Sequence, residues 1–564
     1  MTTVSTRVAD AISAHVTDVF GVMGNGNAHF INALFSSDSN TDSGSSSSTD
    51  SGPVRYTAVR HETAAVAAAD AYFRASGRIA VATVTYGAGF TNMATSLAES
   101  VRAGIPLVVV VGEAPTAGLR PWDIDQVALA TSLGAETFTV GADDAGRTTL
   151  TALEHALNNR TAVVLAIPYD LAAATAGDET LPAELRLTAP LAPTATETDA
   201  AAAVLAQAKR PFILAGRGAW VSGAADALGE LADALGAVTA SSALGRGIFA
   251  KQQFDLGVTG GFGQDAAMAL VRTADVVLVV GASMNQFTMS FGTLVAADAT
   301  VIRIDEAADV KHPLVSSLIV GDARLTVEAI VADLARIDAP ASGWRESIDG
   351  FADGSLHRRD AGEETLPDGL LDPRRVATRL AELLPDDRVV VSDGGHFIGW
   401  ANTYWPVAAP NRMMMVGTAF QTIGLGFPSA VGATTALPDP LLVITTGDGG
   451  GLMALADLDS VIRSTRRGAI VVWNDAAYGA EIHMYGRMGL DTRPMMIEQA
   501  DFAALSRALG GHGDVINTLD DLDAFEQWLA SGADGVYLLD CRISGTIMAP
   551  YQLEIYAHAT GQKH

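Results

Sequence analysis

The sequence predicts an α/β protein built from three doubly wound parallel-sheet domains, and three observations carry that prediction. Short apolar strands alternate with helical patterns along nearly the whole chain, and several of those strands end in Gly or Asp. The chain is 564 residues long, more than one ordinary core encloses. Its composition, 49% hydrophobic and 18% charged with 56 glycines, belongs to a globular enzyme with buried strands and tight turns and not to a disordered chain.

The first domain is expected over residues 1–171, where VFGVMG, YTAVR, IAVATVT, PLVVVVGEAP and TAVVLAIP read as strands separated by helices. Within it, residues 36–53 are Ser-rich, polar and glycine-dotted, the composition of a mobile surface insertion. Residues 172–199, rich in Pro, Thr and Ala, suit a linker. A central domain follows over 200–337, with RPFILAGRGA, ADVVLVVGAS and ATVIRIDEA as strands. A charged second linker over 338–371 leads to a third domain, 372–544, with DRVVVSDGG, LLVITTGDGG, GAIVVWND and GVYLLDC. Residues 545–564 form a tail.

The bulk charge excludes some functions. A net charge of −28 with no basic run repels a nucleic-acid backbone, so no nucleic-acid partner is expected. No segment reaches the roughly 18 apolar residues that span a bilayer, so no membrane is expected either. The single cysteine, Cys541, fits a reducing cytoplasm, and the N-terminus has no secretory pattern.

The chemistry concentrates in the run Thr446-Gly447-Asp448-Gly449-Gly450-Gly451, between an apolar strand and a helical pattern. Glycines there let backbone amides approach a diphosphate, and the following helix offers its positive end. Asp448 would oppose a phosphate unless a divalent cation lay between them. The next strand ends in Asn474-Asp475-Ala476-Ala477-Tyr478-Gly479, and a strand, helix, strand unit brings both strand ends to one edge of the sheet. A six-coordinate Mg2+ fits that set of oxygen donors.

This spacing resembles the thiamine-diphosphate enzymes of the acetolactate synthase and pyruvate decarboxylase group, whose signature is GDG, some two dozen residues, then NN or a close variant. The resemblance implies the family's three domains, called PYR, middle and PP, with thiamine diphosphate and Mg2+ as cofactors. It makes Asp448 a metal ligand, with Asp475 and the Ala477 carbonyl as the others. Most relatives carry Asn where this chain has Asp475, which leaves Asn474 as a competing ligand. Gly447, Gly449, Gly450, Tyr478 and Gly479 would surround the diphosphate, as would Gly394, Gly395 and His396 of the run DGGH. In the run GTAFQTIG, Ile423 corresponds to the bulky residue beneath the cofactor rings, and the Gln421 carbonyl to the acceptor for the pyrimidine amino group.

The segment RHETAAVAAAD, followed at the expected distance by Gly87, Gly89 and Asn92, resembles the family segment that activates the cofactor. It implies that Glu62, sheltered from water with a raised pKa, favours the imino tautomer of the pyrimidine. In relatives this glutamate and the metal site come from different subunits, which implies a homodimer or homotetramer with the active site at the interface.

Asn25 and Gly26 in VFGVMGNGN match the family loop facing the reacting carbon, with neighbouring His29 open to a packing role. Glu481 falls where decarboxylases carry an acid that protonates the intermediate, with His483 next to it as a proton-transfer aid. A solvated helix residue and a structural histidine are the competing readings of those two. The stretch Pro121-Trp122-Asp123-Ile124-Asp125-Gln126 matches neither the Phe-Gln-Glu segment of acetolactate synthases nor the paired histidines of pyruvate decarboxylases. Gly216-Arg217-Gly218 and Gly281-Ala282-Ser283 resemble a domain that holds FAD in some members, but Ser283 stands where those members have Arg, which disfavours FAD.

The expected function is thus a thiamine-diphosphate- and Mg2+-dependent decarboxylase or carboligase resembling acetolactate synthase, acting on a small 2-oxoacid or aldehyde. Two alternatives remain at this point: a 2-hydroxyacyl-CoA or 2-hydroxyketone lyase using the same chemistry, and a catalytically silent cofactor-binding regulator.

Overall fold

The computed structural model describes residues 2–36, 54–309 and 311–561; apart from Ser36, the Ser-rich insertion 36–53 lies outside the described residues. Three sheets of six strands follow one another along the chain, and every pairing within them is parallel. The first holds β1 (Asp18–Gly21), β2 (Arg55–Ala58), β3 (Ala80–Val84), β4 (Leu107–Glu113), β5 (Thr137–Thr139) and β6 (Ala162–Pro168). The second holds β7 (Pro211–Ala215), β8 (Val238–Ser241), β9 (Asp255–Val258), β10 (Val276–Val280), β11 (Thr300–Asp305) and β12 (Val315–Val320). The third holds β13 (Arg388–Ser392), β14 (Met413–Met415), β15 (Leu441–Gly447), β16 (Arg467–Asn474), β17 (His512–Ile516) and β18 (Gly535–Arg542).

The central strands are runs of Val, Ile, Leu and Ala buried along their length, as β3, β6, β10 and β15 show, because helices cover both faces of each sheet. Five of the six strands that the apolar pattern passes over, β5, β9, β12, β14 and β17, are sheet edges. Edge strands are buried less completely and need no long apolar run.

Sheet order separates the three units. The first runs β2-β1-β3-β4-β6-β5 and the third β14-β13-β15-β16-β18-β17, the same order when each sheet is counted from its own first strand. The second runs β12-β11-β10-β7-β8-β9, the 3-2-1-4-5-6 order of dinucleotide-binding folds. The outer sheets are therefore the duplicated pair, and the middle one has another topology.

The outer sheets also share one core. Helix Glu62–Ser76 is Ala-rich and crosses helix Gly426–Ala436, and Val66, Ala68, Phe427 and Val431 join strand residues of both sheets in one buried cluster. The crossing requires glycine at 432, since a Cβ there would lie 1.8 Å from the Ala68 carbonyl oxygen.

Two segments differ from the sequence expectation. The run 545–564 is no loose tail: helix Pro550–Thr560 packs Tyr551 against Phe262 and stacks His558 on Phe291, with ring centroids 4.3 Å apart. The apolar face of this short helix alternates with polar residues, which hid it from a periodicity reading. The second linker likewise includes two 3-10 turns, Arg345–Ser347 and Ser355–His357, with Leu356 buried against the second sheet.

Candidate functional site

In a sheet of this order, ligands bind where neighbouring strands send their connections in opposite directions. In the third sheet that point lies between β13 and β15, and the segments leaving it are Asp393–His396 and the glycine run. The glycines are not a turn before a helix, as the sequence suggested. Helix Asp448–Met453 begins at Asp448 itself, so Gly449, Gly450 and Gly451 are its buried first turns, and the pattern continues after a break as helix Ala456–Ser464. Short side chains would already crowd here: a Cβ at 449 would meet the Tyr478 ring at 2.7 Å, and one at 450 would meet Asp393 Oδ2 at 2.8 Å.

A cavity opens at this point, lined among others by Gly395, His396, Ile423, Asp448, Asp475 and Glu481, with Gly394, Gly447, Gly449, Gly450, Ala477, Tyr478 and Gly479 completing its wall. Asp448 is buried and its Oδ2 has no hydrogen-bond partner. Burial pushes its pKa up to about 6, against the opposing pull of backbone amides that include those of Gly449 and Ala477. Asp475 is raised to about 7 by burial and then by the neighbouring Asp448 charge. Two carboxylates raised in this way, Asp448 buried with an orphaned oxygen and Asp475 half-buried, fit a hard divalent cation, which restores the charge balance that burial removes. Among the described residues no group of three or more His, Cys, Asp or Glu side chains is arranged to hold a metal ion by itself. Mg2+ needs no such group, since it takes one or two carboxylates and fills its remaining positions with phosphate, water or main-chain oxygens.

Gly479 makes room for this pair, because a Cβ there would approach Asp475 Oδ2 to 2.8 Å. Ala476, between Asp475 and Ala477, has a positive φ of 54°, an unusual conformation for a residue with a Cβ. Asn474 is placed elsewhere. It closes β16 and its Nδ2 donates to Asp540 Oδ1 at 2.8 Å, outside the cavity wall. Asn474 Oδ1 is buried without a partner, so what distinguishes the two neighbours is that Asp475 lines the cavity and Asn474 does not.

Of the other expected residues, Gln421 and His483 are not on the wall, whereas His396 and Glu481 are. Gln421 is exposed, with a φ of 62°, and its Nε2 donates to the Thr418 carbonyl. His483 is buried, its ring 4.3 Å from that of His396, and its Nε2 has no partner. Burial lowers the His483 pKa to about 4 and the His396 pKa to about 3, so both are neutral near pH 7. His396 Nε2 accepts the Ala549 amide at 2.8 Å, which places the imidazole proton on Nδ1. Glu481 is exposed at the cavity mouth.

Asp393 escaped the sequence reading as a hub. Its buried carboxylate accepts the amides of Gly394 (2.8 Å), Gly424 (3.1 Å) and Leu425 (3.1 Å) and the Thr446 hydroxyl (3.2 Å). It points inward and ties the segments around the cavity together.

The equivalent point of the first sheet lies between β1 and β3. Asn25 Nδ2 donates to the Tyr86 hydroxyl at 2.8 Å, and the Gly26 amide to Thr85 Oγ1 at 3.0 Å. Glu62 opens the Ala-rich helix and accepts from Asn92 Nδ2 at 3.0 Å, close to Gly89. Asn25, His29 and Asn92 are exposed and Glu62 is half-buried. The expected sheltering of Glu62 is therefore only partly met among the described residues of one chain, which leave the helix start half-covered. In the stretch after β4, Gln126 is buried and accepts the Gly87 amide at 2.6 Å, while Trp122 is 63% exposed. Arg120 lies over Tyr86 and Tyr169 and is paired with Asp123. Neither Glu62 nor Asn25 reaches the cavity of Asp448 and Asp475.

The glycines of the middle sheet serve its own packing. A Cβ at Gly216 would lie 2.4 Å from the Gly281 carbonyl oxygen, and one at Gly281 would lie 2.2 Å from the Ala219 amide nitrogen. Arg217 and Gly218 border a separate cavity of about 350 Å3 that also touches Arg74, Arg160 and Trp220. Ser283 is exposed.

Duplicated outer sheets with functional segments at matching switch points, joined by a middle sheet of dinucleotide-fold order, define a multidomain α/β cofactor enzyme. Comparison with known families agrees: the N-terminal TPP binding domain of thiamine pyrophosphate enzymes matches residues 2–129, their central domain 198–330 and their C-terminal TPP binding domain 393–541. The chain belongs to the thiamine pyrophosphate enzyme family and is an enzyme of thiamine-diphosphate-dependent carbon–carbon bond chemistry. It is similar to the acetolactate synthase isozyme 2 large subunit of Escherichia coli, 28% identical over 87% of this chain and 89% of that one. It also resembles a sulfoacetaldehyde acetyltransferase of Castellaniella defragrans (26%, covering 93% and 89%) and a probable 2-ketoarginine decarboxylase of Pseudomonas aeruginosa (29%, covering 87% of each). Among the described residues no helix is long and apolar enough to cross a membrane.

Proposed function

We propose that the protein is a Mg2+-dependent 2-oxoacid decarboxylase or carboligase of this family, active in the cytoplasm as a homodimer or homotetramer. The observation that carries the reading is the split site: the acidic, glycine-lined cavity lies at one switch point, and half-buried Glu62 with exposed Asn25 at the other.

Asp448 and Asp475 would hold the cation, with Ala477 beside them, and the amides of Gly449 and Gly450 admit a diphosphate. Ile423 would support the rings from the cavity wall. Bound thiamine diphosphate supplies a carbon nucleophile and an electron sink for the substrate carbonyl. Glu62 of a second subunit would hold and release a proton at the pyrimidine ring nitrogen, where the interface would shelter it from water. Asn25, on the same surface, would donate to the substrate, and Glu481, exposed on the cavity wall, would deliver a proton to the product carbon. Exposed apolar side chains occur on the segments that flank the cavity residues in sequence, with Phe420 40%, Met453 61% and Tyr485 48% exposed, and a subunit contact would cover them.

A circular dichroism titration with thiamine diphosphate and Mg2+, paired with carbon dioxide release from pyruvate and a branched 2-oxoacid, tests the reading. Saturable binding with carbon dioxide release supports it. Aldehyde and formyl-CoA from a 2-hydroxyacyl-CoA, without activity on 2-oxoacids, selects the lyase, and binding without any turnover selects the silent regulator.

A further inference from the structure

We propose that Glu99 is a positioning residue for the cofactor loop: its buried carboxylate, carried by the first sheet's helix Ala94–Ala103, clamps the turn of the third sheet that presents Gln421 and Ile423. This rests on the reading of residues 417–424 as the cofactor-facing loop.

Glu99 is 2% exposed. Its Oε2 accepts the Phe420 amide at 2.7 Å, and the Ala419 amide also bonds to the carboxylate. Its Oε1 accepts from Arg74 Nη2 at 3.3 Å, and Arg74 Nε donates to Asp70 Oδ1 at 2.5 Å. Arg74 Nη1 reaches the Met415 carbonyl at 3.4 Å, so the same network touches the strand that enters the loop. Burying such a group is costly, and here each oxygen is used.

The loop needs an external hold. Gln421 has a φ of 62° although it carries a side chain, and Gly417 has a φ of 79° with its Cβ position only 2.3 Å from the Thr422 carbonyl oxygen. Inside the turn, the Thr422 amide donates to the Gly417 carbonyl at 2.9 Å. Just past Ile423, the amides of Gly424 and Leu425 are fixed by Asp393 of the third sheet's own chain segment. The opposite side of the turn, at residues 419 and 420, is fixed by Glu99 from the other sheet. Two carboxylates therefore bracket Gln421 and Ile423, one from each outer sheet. Asp70 and Arg74 lie on the helix that begins with Glu62, so the clamp also registers this loop against that helix.

A purely structural role, gluing the two outer sheets, is the competing account. Hydrogen exchange on the full chain without cofactor, followed over residues 416–425 and over the two crossing helices, separates them, together with cofactor titration and steady-state kinetics of Glu99→Gln. We expect Glu99→Gln to fold with exchange of 416–425 about tenfold faster, while helices Glu62–Ser76 and Gly426–Ala436 keep wild-type protection. Cofactor affinity should fall about 10- to 100-fold, the effect of a lost supporting contact, with kcat at saturating cofactor within about threefold of wild type. Glu99→Asp should recover part of the affinity. Unchanged loop exchange and affinity in a folded variant, or loosening spread equally over both helices, overturns the proposal. Should the variant not fold, wild-type protection decides: a Phe420 amide that exchanges as fast as an exposed one also overturns it. Failure of wild type to bind thiamine diphosphate would instead remove the functional reading, while the loop exchange still reports on the clamp.

Discussion

The two outer sheets share one strand order but treat their switch points differently. At the third sheet the point is closed: Asp448 is buried and Asp475 half-buried beside it, both are raised toward neutrality, and Asp393 ties the surrounding segments. At the first sheet it is open, with Asn25 exposed and Glu62 half-covered. The half proposed to hold the cation is thus enclosed within one chain, whereas the half that carries Glu62 is half-covered in it. A duplicated topology fixes where ligands bind, and the side chains that fill each copy decide what the copy does.

The sharpest way to break this comparison is Asp448→Asn, which removes a cation donor from the closed point. Cofactor and Mg2+ affinity should fall more than about 100-fold by calorimetric titration, and turnover with them. Affinity close to wild type would remove Asp448 from the metal site.

Glu62→Gln acts on the open point and should behave in the opposite way. Titration should show cofactor affinity within a few fold of wild type, while kcat drops about 10²- to 10⁴-fold, the range for loss of a proton-transfer group.

Mixing these two inactive chains asks whether the halves meet between subunits. Random pairing puts half of the chains in mixed dimers, each with one intact site of two, so about a quarter of wild-type activity should return. A mixture as inactive as its components means the halves belong to one chain.

The closed point also carries a pH signature. An acid whose pKa is raised by folding binds its proton more tightly in the native state, so its ionisation opposes folding. For Asp448 and Asp475 that cost is absent below the ordinary value of 3.8 and complete above about 7. A bound cation relieves it, so the rise in melting temperature on adding Mg2+ should be largest near pH 8 and shrink toward pH 6. Asp475→Asn should flatten that profile in differential scanning calorimetry.

The smallest effect concerns the shared core. Gly432→Ala forces the two central helices apart and should cost about 1–3 kcal/mol, read as a lower melting temperature, with both outer sheets melting in one transition. Two separate transitions would show that the sheets do not fold as a unit.

Much of this was legible in the sequence because its signals are local. Apolar runs marked the buried parallel strands, since a strand covered on both faces must be apolar throughout. The run from Thr446 to Gly451 and the spacing to Asp475 pointed to a diphosphate and a divalent cation, since strand ends separated by one helix must meet at the same sheet edge. What the sequence did not determine is non-local. Edge strands such as β14 and β17 are named by their neighbours, and Asn474 was separated from Asp475 only by its place off the cavity wall, with a bond to Asp540, which lies far along the chain. Asp393 and Glu99 looked like any acids in a turn and a helix. Only the tertiary structure could show that their carboxylates are buried against amides of one loop, because burial and partnership are properties of the packed chain and no residue carries them alone.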